Sequence, residues 1–303
     1  MNAAGIDLGG TKIAAQIFDS GWNRVDERRI STPVSYDALV AAMAEQIRWI
    51  DDRAGPIPVG IAAAGLVNGS SGLAFTANLP ATNRPFPADI AQAAGRAITY
   101  VNDCRAQTLS EAIFGAGRGF RTVVGVSIGT GLAGGCVIAG QLAQAHSGLA
   151  GEYGHFALSA NVMAAHQLPV LRCGCGRMGC VETLVSGPGL ARLVAHRTGR
   201  NLTPAQIVEQ RQNDPDLADC WSIWCDLLVE LFVTLGLTLD PDVIVLGGGL
   251  GQIPGLLAEI APLFAASQLA GFPVPNLRQA EGGDASAARG AAYAALMVGD
   301  GNA

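Results

Sequence analysis

Two short apolar segments meet at a glycine-rich turn near the start of the 303-residue chain, and the same pattern returns in its middle. The first pair of segments covers residues 4–19, and the second pair covers residues 123–139. Apolar and β-branched residues on both sides of a tight turn predict a β-hairpin. Because the pattern occurs twice, we expect two similar lobes that each contribute one glycine hairpin.

The tips of the two hairpins carry residues that suit phosphate binding. Glycine lets backbone N–H groups approach phosphate oxygens without a Cβ in the way, and threonine or lysine adds a side-chain donor. Asp7 is placed to hold a water bound to a metal ion. The alternative for either hairpin is an ordinary tight turn. The candidate phosphate-binding residues are Asp7, Gly9, Gly10, Thr11 and Lys12 in the first hairpin and Gly129, Thr130, Gly131, Gly134 and Gly135 in the second.

Strand and helix patterns alternate outside the hairpins, which predicts an α/β fold. The chain is long enough for two domains. We place an N-terminal α/β lobe at 1–116, completed by a closing helix at about 287–303, and a C-terminal α/β lobe at 117–286. The predicted strands are 59–64, 98–101 and 243–246, and the predicted helices are 36–50, 106–114, 222–239 and 285–297.

Charge and cysteine content restrict the partners and the compartment. A formal net charge of −6 with 15% charged residues leaves no broad basic surface for a nucleic acid. Glycines and polar residues interrupt the uncharged stretch 122–151, so we expect no membrane span. The chain starts without a basic leader and cleavage site, and its odd number of seven cysteines suits metal binding better than a disulfide framework. We therefore expect a reducing, cytoplasmic location.

The second hairpin also matches a dinucleotide-binding fingerprint. Gly129, Gly131 and Gly134 have the G-x-G-x-x-G spacing, and Glu152 lies about where an acidic ribose ligand is expected. That motif requires a helix to begin at the glycines, so that its N-terminus meets the pyrophosphate. The residues that follow are apolar and β-branched, which predicts a strand. We therefore do not expect NAD binding.

Asp103 follows Asn102 at the end of a predicted strand and precedes a predicted helix. Ligands of α/β proteins bind at the carboxyl ends of strands, and a carboxylate there can take the proton of an attacking alcohol. Phosphoryl transfer needs positioning, charge neutralisation and one base, which Asp103 and two phosphate hairpins would supply. The alternative is a helix N-cap, a position that aspartate often occupies.

Three cysteines within eight residues, with a histidine upstream, indicate a zinc site. Four protein ligands would fill a tetrahedral ion, so the zinc would be structural and would orient the loop that carries Glu152 and Glu182. The alternative is a group of buried free thiols. The candidate metal ligands are His155, Cys173, Cys175 and Cys180, whereas Cys104, Cys136, Cys220 and Cys225 are predicted to be small core residues.

Taken together, these motifs resemble the ROK family of bacterial sugar kinases over essentially the whole chain. Asn102–Asp103 matches the position of the family's catalytic pair. The segment 7–12 is similar to the first phosphate loop of the family, 129–135 to its second and 245–249 to its adenosine-side loop, while 152–155 matches E-x-G-H and 173–182 matches the zinc signature C-x-C-G-x-x-G-C-x-E.

The resemblance implies an actin-like, ribonuclease H-type fold with two lobes and a cleft between them. It also implies ATP-dependent phosphorylation of a hexose 6-hydroxyl, with Mg²⁺ accompanying the nucleotide, a structural Zn²⁺ and a homodimer. Gly248 and Gly249 would lie beside the nucleotide. The residues that would face the sugar are Gly65, Asn78, Asn102, Asp103, Glu152, His155 and Glu182.

Within the family, the chain is most similar to bacterial N-acetyl-D-glucosamine kinases, on its spacer between His155 and Cys173 and its segment 76–80. Fructokinases, glucokinases and N-acetylmannosamine kinases are the alternatives, although Glu152 counts against the last. Ala64 and Ala133 depart from the family pattern. A sugar-responsive repressor is not expected, because the phosphate hairpin begins where such repressors carry a helix-turn-helix. A non-catalytic sugar sensor is the alternative from another class.

Overall fold

The computed structural model describes residues 2–143 and 146–299. Its strands are β1 (Ala3–Leu8), β2 (Lys12–Phe18), β3 (Arg24–Ser31), β4 (Val59–Ala63), β5 (Leu66–Val67), β6 (Ala74–Phe75), β7 (Thr99–Asn102), β8 (Thr122–Ile128), β9 (Leu132–Ile138), β10 (Gln141–Leu142), β11 (Val243–Gly247) and β12 (Asn276–Gln279). Its helices are α1 (Tyr36–Ala54), α2 (Phe86–Ala94), α3 (Asp103–Phe114), α4 (Ala160–Ala165), α5 (Glu182–Val185), α6 (Gly187–Thr198), α7 (Pro204–Gln210), α8 (Pro215–Leu239), α9 (Gly248–Gly251), α10 (Leu256–Ser267) and α11 (Ser286–Gly299). Short 3₁₀ helices lie at Tyr153–His155 and Gly283–Ala285.

The chain forms two compact units. The first contains Met1–Arg121, Gly135–Gly151 and Glu281–Ala303, and the second contains Thr122–Gly134 and Glu152–Ala280. The predicted lobe boundaries stay a prediction, because units defined by contacts and evolutionary domains need not coincide. Residues 300–303, which belong to the predicted closing helix, lie outside the described residues.

Two five-stranded sheets have the same strand order. The first is β3-β2-β1-β4-β7 and the second is β10-β9-β8-β11-β12. In each, the first strand of the glycine hairpin is central, with its hairpin partner on one side and parallel strands on the other. The expectation of two similar lobes, each with one glycine hairpin, is therefore confirmed at the level of topology.

The first sheet is covered on both faces, because alternate residues of its strands point to opposite sides. Residues 4, 6 and 8 of β1 pack with Leu39, Met43 and Ile47 of α1 in one buried cluster. The other face meets α11, where Ala3 of β1 packs with Ala288. Helix α11 therefore covers the face of the sheet to which Ala3, Gly5 and, by the alternation of the strand, Asp7 point.

Glycines let α11 approach its neighbours at backbone distance. A Cβ built on Gly60 of β4 would lie 1.9 Å from the carbonyl oxygen of Ala291, and one on Gly5 of β1 would lie 1.8 Å from that of Ala288. A Cβ built on Gly290 of α11 would lie 1.8 Å from the carbonyl oxygen of Ala106 in α3. Because these neighbours are backbone atoms, they cannot move aside without shifting a helix.

We expect Gly60→Ala to lower the free energy of unfolding by about 3 kcal/mol, because overpacking of a close-packed interface is destabilising. Urea denaturation followed by circular dichroism measures the change. Gly249→Ala is the matched control: no atom described in 2–143 or 146–299 lies within 4 Å of a Cβ built there, outside its chain neighbours and its own helix. Equal stability of Gly60→Ala and wild type would contradict the close packing of α11.

Helix α8 is the one described helix that is long and apolar enough to cross a membrane. Half of its apolar 18-residue stretch is buried, and the helix packs against α6 and α10. The indole of Trp224 donates a hydrogen bond to the carbonyl of Val185 at 2.8 Å. Core helices of soluble proteins can be equally long and apolar, and packing of this kind is typical of them. The uncharged stretch 122–151 contains β8, β9 and β10, with residues 144 and 145 outside the description.

The second strand of the second hairpin, β9, is longer than predicted. Gly134 and Gly135 lie inside β9, whereas the sequence placed them in the phosphate loop. A Cβ on Gly134 would lie 1.8 Å from the carbonyl oxygen of Gly125, and one on Gly135 would lie 3.0 Å from Thr108 Oγ1. These two glycines therefore permit close packing. The prediction that a strand, not a helix, follows the fingerprint is confirmed.

Candidate active site and metal centre

Parallel strands of the first unit end at one edge of the sheet, where the candidate catalytic residues lie. Strand β4 pairs in parallel with β1 and with β7, in a register that aligns Leu8, Ala63 and Asn102. Ligands of α/β proteins bind outside the carboxyl ends of such strands. The register places Asp7 and Asp103 together at this edge.

The tip of the first hairpin is exposed, and hydrogen bonds within the turn and from Thr32 fix its backbone. The Gly9 N–H donates to the Lys12 carbonyl at 3.0 Å and closes the turn. Thr32 donates its hydroxyl to the Gly9 carbonyl at 2.7 Å and its N–H to the Thr11 carbonyl at 3.1 Å. Gly10, Thr11 and Lys12 remain exposed, as a ligand-binding turn requires.

The Gly65 turn and Asn78 lie beside this edge. The Asn102 amide donates to the Gly65 carbonyl at 3.1 Å. Gly65 has φ of +109°, and a Cβ there would lie 2.6 Å from the Phe75 carbonyl oxygen, so the position requires glycine. The exposed Asn78 lies against the hairpin tip, because a Cβ on Gly10 would lie 3.1 Å from the Asn78 Cβ.

Asp103 is the first residue of α3 and is not its N-cap. The N-cap is Asn102, whose Oδ1 accepts a hydrogen bond from the Arg105 N–H at 3.2 Å. The carboxylate of Asp103 accepts from the Cys104 N–H at 2.9 Å. Burial raises the pKa of Asp103, and hydrogen bonds from Cys104 and Asn102 oppose that rise. The hydrogen bond from Cys104 thus holds the Asp103 carboxylate in place, and Asn102, not Asp103, caps the helix.

Asp7 is a second perturbed carboxylate at the same edge. Burial raises the pKa of Asp7 from 3.8 to about 6, with the charges of Asp103 and Asp284 acting in the same direction and Lys12 acting against them. The carboxylates outnumber the cation, so the edge carries excess negative charge at neutral pH. A bound cation would relieve that excess.

We expect Asp7→Asn to stabilise the fold above pH 6. The unfolded chain releases the Asp7 proton near its ordinary pKa and the folded chain only near 6, so the unfolding free energy falls as pH rises from about 4 to 6. Above that window the buried charge costs about 3 kcal/mol, which asparagine avoids. Urea titrations at pH 4, 5, 6 and 8 should show a gain that grows with pH. Exposed Asp52→Asn is the control; an Asp7→Asn chain that is less stable than wild type at pH 8 would contradict the assignment.

The glycine turn of the second unit joins β8 to β9. The Gly129 N–H donates to the Gly131 carbonyl at 3.0 Å, and the Gly187 N–H donates to the Gly129 carbonyl at 2.8 Å. Thr130 and Gly131 are exposed. The turn therefore has the same form as the first hairpin tip, an exposed loop fixed by backbone hydrogen bonds.

A second glycine segment begins at the same edge of the second sheet. Strand β11 runs parallel to β8, with Gly247 opposite Ser127. Gly248 has φ of +75°, and a Cβ there would lie 2.5 Å from the Ile128 carbonyl oxygen. Gly249 is exposed. The segment after β11, predicted as a loop, forms the short helix α9, and Gly248 and Gly249 begin it.

Three of the predicted sugar-facing residues lie together in the second unit. His155 Nε2 is 3.6 Å from a Glu152 oxygen, and His155 Nδ1 is 3.6 Å from a Glu182 oxygen. A Cβ on Gly131 would lie 3.5 Å from the other Glu182 oxygen. Glu182 thus lies beside both the glycine turn and His155.

The four predicted metal ligands converge. The ligand atoms of His155, Cys173, Cys175 and Cys180 all lie within 4.8 Å of one another. Cys175 Sγ is 3.7 Å from Cys180 Sγ, and Cys173 Sγ is 3.6 Å from His155 Nδ1. Zinc–sulfur bonds of about 2.3 Å in a tetrahedron place two sulfurs about 3.8 Å apart. The donor set and its spacing fit Zn²⁺.

Backbone hydrogen bonds shape the loop that carries these ligands. The Cys173 N–H donates to the Arg177 carbonyl at 2.8 Å, and the Gly176 N–H donates to the Cys173 carbonyl at 3.0 Å. Burial raises the pKa of Cys173 and of Cys180. A metal ion would have to displace their protons, so its binding would weaken in acid.

Sequence reasoning missed two residues near the candidate base. Cys104, predicted to be a core residue, is only half-buried, and its backbone N–H donates to the Asp103 carboxylate. Its position directly after Asp103 was the available signal. Asp284 acts on Asp7 through its charge, and nothing in the sequence around it indicated this.

Two curated relatives match nearly the whole chain. The N-acetylgalactosamine kinase AgaK of Shewanella sp. (strain ANA-3) is 43% identical over 95% of this chain and 94% of its own length. The N-acetyl-D-glucosamine kinase of Pectobacterium atrosepticum is 36% identical over 97% of this chain and 98% of its own. Both of these relatives carry the names of amino-sugar kinases.

A solved structure supports the same grouping. A ROK family glucokinase from Streptomyces griseus, in complex with glucose and AMPPNP, matches with a TM-score of 0.78 and 27% identity over 98% of this chain and all of that one. The predicted α/β class and the two-lobed actin-like fold of such kinases are thereby confirmed. The family model described as "ROK family" matches residues 3–297. The chain belongs to the ROK family.

Proposed function

We propose that this chain is an ATP-dependent kinase that phosphorylates the 6-hydroxyl of an N-acetylhexosamine, with N-acetyl-D-glucosamine as its substrate. The observation that carries the proposal is the half-buried carboxylate of Asp103 at the carboxyl end of β7, beside an exposed glycine hairpin. The names of the curated relatives supply the substrate class.

In the proposed mechanism, Asp103 accepts the proton of the sugar hydroxyl as its oxygen attacks the γ-phosphorus of ATP. Gly65, Asn78 and Asn102 position the sugar in the first unit. Gly9, Gly10, Thr11 and Lys12 in the first unit, and Gly129, Thr130, Gly131, Gly248 and Gly249 in the second, position the nucleotide.

Mg²⁺ bound to the phosphates would neutralise their charge, and Asp7 is placed to accept hydrogen bonds from water on that ion. Glu152, His155 and Glu182 contact the sugar, and the proposed zinc fixes the loop from which His155 and Glu182 extend. Burial raises the pKa of Asp103 and so makes its carboxylate a stronger base than that of an exposed aspartate.

The choice between two amino sugars is the sharpest question. N-Acetylglucosamine and N-acetylgalactosamine differ only in the configuration at C4, and the relative named for the second is 43% identical, against 36% for the one named for the first. The motif resemblance favours the first sugar, and the identity favours the second. N-Acetylgalactosamine is therefore the second candidate.

A coupled ADP-release assay tests both levels of the proposal. Purified protein, ATP and Mg²⁺ are combined with N-acetylglucosamine, N-acetylgalactosamine, N-acetylmannosamine, glucose or fructose at matched concentrations. We expect N-acetylglucosamine to give the highest kcat/KM. A higher value for N-acetylgalactosamine would overturn the named substrate and keep the amino-sugar kinase, whereas glucose or fructose as best substrate would overturn the amino-sugar class. No turnover with any sugar would favour a sugar sensor.

Location and assembly complete the proposal. We place the enzyme in the cytoplasm, where ATP and reduced cysteines are available, and we propose a homodimer. Size-exclusion chromatography with light scattering would give about 62 kDa for two chains of 31.0 kDa each. A mass near 31 kDa would exclude the dimer.

A further inference from the structure

The segment between β6 and α2 is a closed loop that carries Asn78. Its ends meet at Ala74, whose N–H donates to the Arg84 carbonyl at 2.9 Å and whose carbonyl accepts from the Asn83 N–H at 2.8 Å. Within the loop, Leu79 is buried in the core of the first unit, whereas Asn78 is exposed. The loop is therefore anchored at its ends and at one side chain, and the backbone before Leu79 decides where Asn78 lies.

Two threonines hold that part of the backbone. The Thr76 N–H donates to Thr82 Oγ1 at 3.0 Å, and the Thr82 hydroxyl donates to the Thr76 carbonyl at 2.8 Å. The Thr76 hydroxyl donates to the Leu79 carbonyl at 2.7 Å. A hydroxyl can donate one hydrogen bond and accept others, so the single side chain of Thr82 engages both backbone groups of Thr76. Side-chain hydroxyls thus replace strand pairing in this loop.

The position of Thr76 matters because it packs against the Gly65 turn. A Cβ built on Gly65 would lie 2.8 Å from Thr76 Cγ2, and the Gly65 carbonyl accepts from the Asn102 amide at 3.1 Å. Two residues further along the loop, Asn78 lies against the hairpin tip, where a Cβ on Gly10 would lie 3.1 Å from the Asn78 Cβ. A displacement of Thr76 would therefore disturb both Gly65 and Asn78.

We infer that Thr82 is a positioning residue for the sugar, whose hydroxyl holds Thr76 and thereby keeps Gly65 and Asn78 in the arrangement that receives the substrate. The inference rests on the proposed role of Gly65 and Asn78 in sugar binding. Thr82 is exposed whereas Thr76 is buried, so the contribution of Thr82 lies in its hydrogen bonds and not in core packing.

Loss of the Thr82 hydroxyl acts on affinity through the population of the ordered loop. The N–H and the carbonyl of Thr76 would lose these two hydrogen bonds and would exchange them for bonds to water in a more open loop. A site that is ordered for only part of the time binds its ligand more weakly by that fraction. The sugar, once bound, orders the loop again, so the effect falls on KM for the sugar more than on kcat.

The test compares Thr82→Val with Thr82→Ser in the enzyme with ATP and Mg²⁺. Valine keeps the branched shape and removes the hydroxyl, and serine keeps the hydroxyl. We expect Thr82→Val to raise KM for the sugar about fivefold to thirtyfold, with kcat within about threefold of wild type. KM for ATP should stay within about twofold, because the Gly9 turn is held by Lys12 and Thr32.

Thr82→Ser should bring KM for the sugar back to the wild-type value. Thr234→Val on α8 is the matched control, since it removes an exposed hydroxyl that donates to the Glu230 carbonyl at 2.9 Å, and it should change neither KM. A Thr82→Val enzyme with the wild-type KM for the sugar would overturn the inference. So would a serine variant as impaired as valine, or a valine variant in which kcat and both affinities fall together, because packing or general destabilisation would then explain the effect.

A measurement without turnover separates this inference from the proposed function. Calorimetric titration with the sugar alone gives its affinity, and hydrogen exchange reports the order of the loop 74–84. We expect Thr82→Val to weaken sugar binding by the same factor as KM and to speed exchange in the loop. If the wild-type chain binds a sugar without phosphorylating it and Thr82→Val weakens that binding, the function fails while the inference stands. Unchanged sugar affinity in Thr82→Val, with an active wild type, would overturn the inference alone, and a wild type that binds no sugar would overturn both.

Discussion

Asp103→Asn lowers kcat by about 10²–10⁴ while the fold remains intact, because general-base catalysis contributes an effect of that size. Asparagine has nearly the same shape and still accepts the hydrogen bond from the Cys104 N–H at Oδ1, so the start of α3 is preserved. It cannot take the hydroxyl proton. The pH profiles of kcat and the unfolding curves of the variant and the wild type are the measurements.

Stability and activity should move in opposite directions in this variant. Burial raises the pKa of Asp103, so its charge destabilises the folded chain above the ordinary aspartate pKa, and that cost is greatest above the raised pKa. Asparagine removes the charge, and we expect the variant to be at least as stable as wild type at pH 8. A residue with a purely structural role would lose stability and activity together.

The matched control for this prediction is Asp219→Asn, which removes an exposed carboxylate that pairs with Arg197 on the surface. Exposed ion pairs contribute little, so we expect neither kcat nor the unfolding free energy to change by a measurable amount. An Asp103→Asn enzyme with kcat within about threefold of wild type would contradict the role of Asp103 as base.

The sequence predicted the edge of the first sheet because strand ends are marked by composition. Buried parallel strands such as β4 consist of small apolar residues without interruption, and the polar Asn102 marks the carboxyl end of β7. The two hairpins were visible for the same reason. Patterns of this kind report backbone conformation and burial. They were sufficient to predict that Asp103 faces the hairpin that carries Asp7.

The sequence could not predict features that depend on distant backbone contacts. Gly134 and Gly135 were placed in a loop because glycine is common in phosphate loops, but their packing against Gly125 and Thr108 keeps them in β9. The effect of Asp284 on Asp7 joins opposite ends of the chain.

The metal ligands form the other part of the site that spacing alone predicted. Cys173, Cys175 and Cys180 are close in sequence, so their convergence needs only one tight turn, which Gly176 at φ of +91° allows. The approach of His155 depends on tertiary structure, and the Arg177 guanidinium donates to the His155 carbonyl at 3.0 Å. The four residues thereby form a preorganised site, and the occupying metal remains a proposal.

Cys175→Ser should abolish zinc binding and loosen the loop between His155 and Glu182. Wild-type protein should contain about one zinc per chain by elemental analysis, and the variant close to none after dialysis against a weak chelator. Cys175 is the exposed ligand, so serine removes a metal bond with almost no loss of packing. We expect the melting temperature to fall by about 5 °C, as the loss of roughly 3 kcal/mol implies for a chain of this size. We also expect new proteolytic cleavage within the loop.

The control is Cys225→Ser, which changes a buried cysteine of α8 outside the proposed ligand set. It should retain about one zinc per chain even where the buried hydroxyl lowers stability. A metal-free wild type that is folded and active would contradict the zinc proposal, and so would full zinc content in Cys175→Ser. Loss of sugar affinity in Cys175→Ser would tie the metal to Glu152 and Glu182, because an oxygen of each carboxylate lies 3.6 Å from a ring nitrogen of the proposed ligand His155.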